Sequence, residues 1–403
     1  MQNKPFRAAL LIAVLSLPAL AYAQNVSGNR RVDANVGAQD PFAIRAGNSQ
    51  TPVMTPKAQG ASVQKAESPV KTAANDLLYL KEQSEPIVCA VLTISGNGGV
   101  TAQVQDKPYA FPFAALERVE LSVSNEFQEG VDAFESGKRL GAKTELERAL
   151  DLFKGARQKT ARRIEKEWAT AKIVETYSAL GRDDEAASEF FLLCRIDPYS
   201  PYLSSMPLRW VNQTSLTRGS SIEARTLAET TAATWLSPTD NPSGTFNPSG
   251  RLLAASILMN SNAHSRDAVA ATQALVALEA PQGADQNVVE TCRAISLLAA
   301  AQLWRAAVLR KPTEREVAHW ISTVEKMPGE LTLGPAFLVA QAQKTLEHDE
   351  SAAREFLRVA MLADDKFTLA EAASKQAADA YERLGQTDAA QKIRDDDARR
   401  FGN

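Results

Sequence analysis

From Ser124 almost to its end, the chain repeats one pattern. Apolar residues recur every three or four positions, in stretches separated by short breaks rich in Gly, Pro, Ser or Asp. Amphipathic helices of this kind bury their apolar stripe by packing on one another, which restricts this region to a helix-on-helix architecture. The pattern predicts helices over 127–137, 143–153, 161–180 and 183–194. Further helices are predicted at about 221–236, 250–260, 265–279, 285–309, 313–326, 334–347, 350–363, 368–384 and 387–400. Aromatic residues make up only 6% of the chain, and Ala is abundant in its second half. Ala loses no side-chain entropy in a helix and lets neighbouring helices approach closely. Two interruptions stand out: a proline-punctuated segment at 199–210 and a loop at 241–250.

A different signal precedes the helices, from Asp76 to about Val123. Residues 86–94 form a β-rich run, 95–99 supply a glycine-rich turn, and 100–105 alternate apolar with polar. This is a hairpin pattern. Residues 109–113 and 116–121 add either two more strands or one strand and a helical turn. A lone hairpin is marginal, so a small β-hairpin- or β-barrel-like module of three or four strands, or strands packed on the first helix, is expected. The glycines fit no phosphate-binding pattern.

The first 23 residues read as a cleaved secretory signal. Lys4 and Arg7 give a positive start, 8–20 an apolar core too short to span a bilayer, and Ala21, Tyr22 and Ala23 a cleavage site before Gln24. Residues 24–75 are rich in small and polar types without period, as in a disordered tether. The expected organisation is therefore signal (1–23), linker (24–75), β module (76–123), a first set of helical repeats (124–215) and a longer helical solenoid (216–403). The implied location is periplasmic or secreted, with no membrane span after signal cleavage; 295–309 comes closest to one, interrupted by Gln302 and Arg305. Net charge is −3, with no dense Lys/Arg cluster, so no nucleic-acid partner is expected. Three cysteines cannot all pair within one chain. Buried thiols fit best, and a Cys194–Cys292 bridge stays open.

Within the helical region Tyr177, Leu180, Gly181, Ala186, Phe190 and Pro198 fall at the spacing of a helix-turn-helix repeat. Tyr381, Leu384, Gly385, Ala389 and Ala390 repeat its first half near the C-terminus, where Arg394 stands in place of the second-helix Phe. Ala352, Phe356 and Ala360 read as another second helix, and Ala149 and Phe153 as an earlier one. On these residues the chain resembles tetratricopeptide-repeat (TPR) proteins, specifically uncharacterised exported bacterial ones with a small N-terminal β module. The resemblance covers about half of the helical region; 216–310 match it by helical period alone. It implies a mainly α fold, an irregular TPR-like α-α solenoid, that binds a protein or peptide on its concave face without catalysis.

No catalytic constellation is legible. His264, His319 and His348 lack metal-ligand spacing, and no nucleophile elbow is present. Asp364 with Asp365 and the Asp395–Asp397 run read as exposed charge, so neither a metal nor a cofactor is expected. A cell-wall glycan-active enzyme, of lytic transglycosylase or glycosidase type, is the alternative. It needs a positioned acid and stacking aromatics. Glu350 and Ser351 carry only a faint likeness to the lytic motif, and Trp168, Trp210, Trp235, Trp304 and Trp320 are better explained as core anchors. Structural homo-oligomerisation is a further alternative. If the two tyrosines hold their repeat positions, Trp168, Lys172, Glu175, Lys375, Asp379 and Glu382 face the groove. Mixed charge around one aromatic there suits an extended peptide. The 199–210 segment could instead fill part of that groove itself.

Overall fold

A computed structural model describes residues 75–81, 83–95, 99–105, 107–112, 115–196, 202–211, 220–237, 247–261, 265–284, 286–363 and 366–401. The signal at 1–23, almost all of the 24–75 linker, the turn at 96–98, Pro198, His264, Asp364 and Asp365 lie outside the described residues.

The β module is a five-stranded antiparallel sheet in the order β4-β3-β2-β1-β5. Its strands are β1 (Asp76–Leu80), β2 (Ile87–Ser95), β3 (Gly99–Val104), β4 (Lys107–Pro112) and β5 (Leu116–Glu120). The expected hairpin is β2–β3, paired from Ser95↔Gly99 to Ala90↔Gln103, with a register shift between Val91 and Thr93. The two open segments both become strands. Strand β1 was not foreseen, because its adjacent leucines Leu77 and Leu78 break the two-residue alternation on which strand recognition depends. The inner face buries Leu78, Cys89, Val91, Val100, Ala102, Leu116 and Val119 in a core continuous with that of the helices.

The helices among the described residues are α1 (Asn125–Leu140), α2 (Lys143–Lys159), α3 (Arg163–Ala179), α4 (Asp183–Ile196), α5 (Ile222–Leu236), α6 (Pro248–Ser261) and α7 (Arg266–Val276). They continue with α8 (Gln286–Leu309), α9 (Glu314–Val324), α10 (Leu333–Thr345), α11 (Asp349–Leu362), α12 (Phe367–Arg383) and α13 (Thr387–Phe401). Each expected helix is present, with ends moved by a few residues. The largest change is at α2, which runs to Lys159 where 153 was expected, and α6 begins at Pro248 inside the expected loop. Asn247 caps it there: its Oδ1 accepts from the Gly250 N–H at 2.9 Å.

Four helix pairs turn in the same way. After α1, α3, α10 and α12 a residue adopts a left-handed conformation: Gly141, Gly181, Glu347 and Gly385, with φ of 63°, 71°, 66° and 74°. The next residue then donates its N–H back into the last helical turn: Ala142 to the Gly137 carbonyl, Arg182 to Tyr177, His348 to Gln343 and Gln386 to Tyr381, at 2.8–3.0 Å. This satisfies a carbonyl that the helix leaves unpaired, and it explains the glycine after Leu180 and Leu384.

Helix α3 is the centre of the packing. It contacts α1, α2, α4 and α12, the β2 strand, and the 3-10 turn Leu203–Ser205. Thirteen of its 17 residues are buried, so it has no solvent face of any width. From α3 the contacts run through α4, α6, α8, α10 and α12 and back to α3, which closes six helices into a ring. The stretch Val288–Leu309 of α8 is apolar and long enough to cross a membrane, yet 56% of its most apolar window is buried, and α8 packs on α6, α7 and α10.

Glu347 is the one non-glycine among the four turn residues, and a side chain in that conformation costs about 1–2 kcal/mol. Glu347→Gly should raise stability by up to about 1 kcal/mol in urea unfolding, after the entropic cost of glycine is deducted. A loss of stability would contradict the turn geometry.

Candidate functional site

The residues chosen from sequence as a groove-facing set do not share one open face. Trp168 is buried in the core, its ring 4.8 Å from that of Phe127. Lys172 pairs with Glu175 at 2.6 Å and lies over the Phe134 ring, and Glu175 also accepts from the Ser205 hydroxyl at 2.8 Å. These α3 side chains are covered by other parts of the chain. On α12, Lys375, Asp379 and Glu382 are exposed; Lys375 pairs with Glu371 at 2.8 Å and Glu382 with Arg394. On α3 the helical period identified a face but not what lies over it.

Trp168 and Lys172 are covered by Phe127 and Phe134 of α1, while Glu175 is met by the segment 202–211, an irregular strap carrying a single 3-10 turn. It runs between the ring helices and is held by side chains. The Arg209 guanidinium lies 2.6 Å from Asp184 and 3.1 Å from Asp183, at the N-terminus of α4. The Arg209 backbone N–H donates to the Ser256 hydroxyl of α6 at 2.8 Å. That hydroxyl donates to Gln302, and Arg305 donates to both Gln302 and Asn260. Trp210 packs on α10 at Gly334, where a Cβ would stand 2.1 Å from the indole, so only glycine admits the ring there. Leu203 and Met206 are buried as well. The described part of the 199–210 segment lies against α3, α4, α6 and α10.

Burial dominates the electrostatics. It raises the Asp183 carboxyl above its usual 3.8, against the pull of Arg209 and a hydrogen bond from Thr368 of α12. Burial, and then the charge of Arg209, pushes the Arg305 guanidinium down to about 10. The space beside the strap is about 50 Å³ and is lined by Glu175, Asp183, Asn260, Lys366 and Thr368. That suits a few waters and falls well short of the ~300 Å³ typical of a small-molecule site. A wider groove of about 570 Å³ opens between α9, α10 and α11, over Val324, Met327 and Val339, with Arg354 and Arg358 on its rim. No aromatic residue lines it, and its Glu355 is engaged by Arg358.

The five tryptophans are all buried, so none forms a sugar-stacking platform. Trp304 and Trp320 stack on each other at 5.1 Å, and Trp235 stacks on Phe191. Glu350 is exposed and pairs with Arg354. His319 is exposed, and His348 meets Glu314 at 3.2 Å. Among the described residues no group of His, Cys, Asp and Glu is arranged to hold a metal ion. The open question about Cys194 and Cys292 is answered: neither they nor Cys89 are in a disulfide, and all three are buried. Burial, and then the nearby Asp76 carboxylate, pushes the Cys89 thiol up to about 12.

Two outcomes follow from this geometry. Arg209→Met leaves Asp183 and Asp184 as buried charges without their cation, at a cost of about 3–5 kcal/mol near neutral pH. Because the folded-state pKa of Asp183 is raised, its stabilising share is fullest below 3.8 and is lost as pH rises through that folded value. The cost of Arg209→Met should therefore shrink from pH 7 to pH 4 in urea unfolding; equal costs at both would contradict the assignment. For the thiols, a disulfide reagent at pH 8 should leave Cys89, Cys194 and Cys292 unmodified in the native protein and titrate all three on unfolding. Fast native labelling would show that they are not buried.

No family model matches the chain, and no curated protein is significantly similar to it.

Proposed function

We propose that this protein is an exported, non-catalytic scaffold or adaptor built on irregular tetratricopeptide-like helix pairs, and that it binds a protein or peptide partner through the inner side of its helices. The observation that carries the reading is how the helices handle residues 202–211. An irregular, side-chain-anchored segment lies along α3, α4, α6 and α10, much as helical repeats hold a peptide. The recurring turns after Tyr177 and Tyr381 support the repeat assignment. Export rests on Lys4, Arg7, the apolar 8–20 stretch and the small residues Ala21 and Ala23. The exposed α12 residues Lys375, Asp379 and Glu382 extend the proposed contact surface beyond the strap.

A displayed random-peptide library tests the reading. It is panned against the wild-type chain, a Lys375→Glu/Glu382→Lys variant and an Arg209→Ala/Trp210→Ala variant. Saturable enrichment of a peptide family on any of them, lost or altered on another, is the expected result. No enrichment on any of the three would sink the proposal. Export is checked separately by fractionating cells that express the full chain, with a mature N-terminus expected at Gln24.

A further inference from the structure

The strap is attached to the helices as a ligand would be rather than as a structural strand. The backbone–backbone hydrogen bonds formed within 202–211 are local ones: Ser205 to Tyr202, Met206 to Leu203 and Leu208 to Met206, at 2.8–3.1 Å. Among the described residues, the hydrogen bonds that Ser205 and Arg209 make to the ring each involve a side chain on at least one partner. Two adjacent residues take specific seats. Arg209 donates from Nη2 to Asp184 at 2.6 Å, and its Nη1 lies 3.1 Å from Asp183 in an ion pair without hydrogen-bond geometry, both on the first turn of α4. Trp210 fills a notch that exists because residue 334 has no side chain. Between the strap and the start of α12 about 50 Å³ stays unfilled, which departs from the close packing of a core laid down in one piece.

We propose that the ring interior is a recognition site for an extended segment bearing an arginine directly followed by a large aromatic residue, and that residues 202–211 occupy this site in cis. The recognising groups are Asp183 and Asp184 for the arginine, Gly334 with its α10 surroundings for the aromatic ring, and Ser256 for the arginine's own main-chain N–H. A partner segment of the same chemistry competes with the strap, and its apparent affinity is reduced by the fraction of molecules in which the strap is seated. The inference rests on the peptide-binding reading above and specifies its ligand.

The probe is a labelled synthetic peptide with the sequence of residues 203–211. It should bind the full-length Arg209→Ala/Trp210→Ala variant at least tenfold more tightly than the wild-type chain, and raise the melting temperature of the variant alone. Replacing either the arginine or the tryptophan of the peptide by alanine should weaken binding at least tenfold. Absence of binding to the folded variant, or equal binding of the alanine peptides, overturns the proposal. If circular dichroism shows that the variant does not fold, hydrogen exchange of the wild-type chain decides. Strap amides that open well before those of α3 support the proposal, and strap amides that exchange only with global unfolding overturn it. Library peptides of unrelated sequence that bind while the strap peptide does not would remove this inference and leave the scaffold reading standing.

Discussion

The arrangement of the helical region depends on one buried ion pair, Arg209 with Asp183 and Asp184. Charges this far from water are costly unless paired, and Asp184 accepts from Arg209 at 2.6 Å while Asp183 lies 3.1 Å from it. Asp183 and Asp184 open α4, Arg209 comes from the strap, and Thr368 of α12 bonds to Asp183. Three parts of the chain distant in sequence are thereby obliged to meet at one point. Beside that meeting point α12 packs against α3, and the strap passes between the ring helices. The same constraint shapes the neighbouring polar contacts. Arg305 has amide and carbonyl oxygens within reach, and burial beside Arg209 pushes its guanidinium down.

A second buried acid joins the sheet to the helices by the same physics. Asp76 at the start of β1 is fully buried and accepts from the Val91 and Ser122 N–H groups, at 2.7 and 2.6 Å, and from Arg162. Arg162 immediately precedes α3, so that helix is held to the β module at one end while the strap covers it further along. Burial raises the Asp76 carboxyl as it does that of Asp183. In both places polar groups set which elements meet, while apolar burial supplies the larger part of the driving force.

Much of this was legible in the chain. The helices could be read because a 3.6-residue apolar period reports directly on a buried stripe, and the turns because Gly181 and Gly385 follow Leu180 and Leu384 at the point where a left-handed residue is needed. The β2–β3 hairpin was readable for the same local reasons, and β1 was not, since Leu77 and Leu78 obscure its alternation. The candidate site was legible only in part. Glu175 does meet another segment, and that segment was suspected. Trp168, Lys172 and Glu175 were nevertheless assigned to an open groove, because a helical period cannot distinguish a solvated face from one covered by α1 or by the strap thirty residues on.

The sequence by itself determined the local structure: which stretches are helical, where they turn, and which residues form the stripes. These follow from interactions over a few residues, whose energies do not depend on the rest of the molecule. Only the tertiary structure decided that the helices close into a ring, that α3 is enclosed on nearly all sides, and that Arg209 and Trp210 fill the interior. Those outcomes depend on desolvated charges finding partners 25 residues away, as Arg209 finds Asp184, and on an indole that fits only where Gly334 leaves room. No local period encodes either requirement.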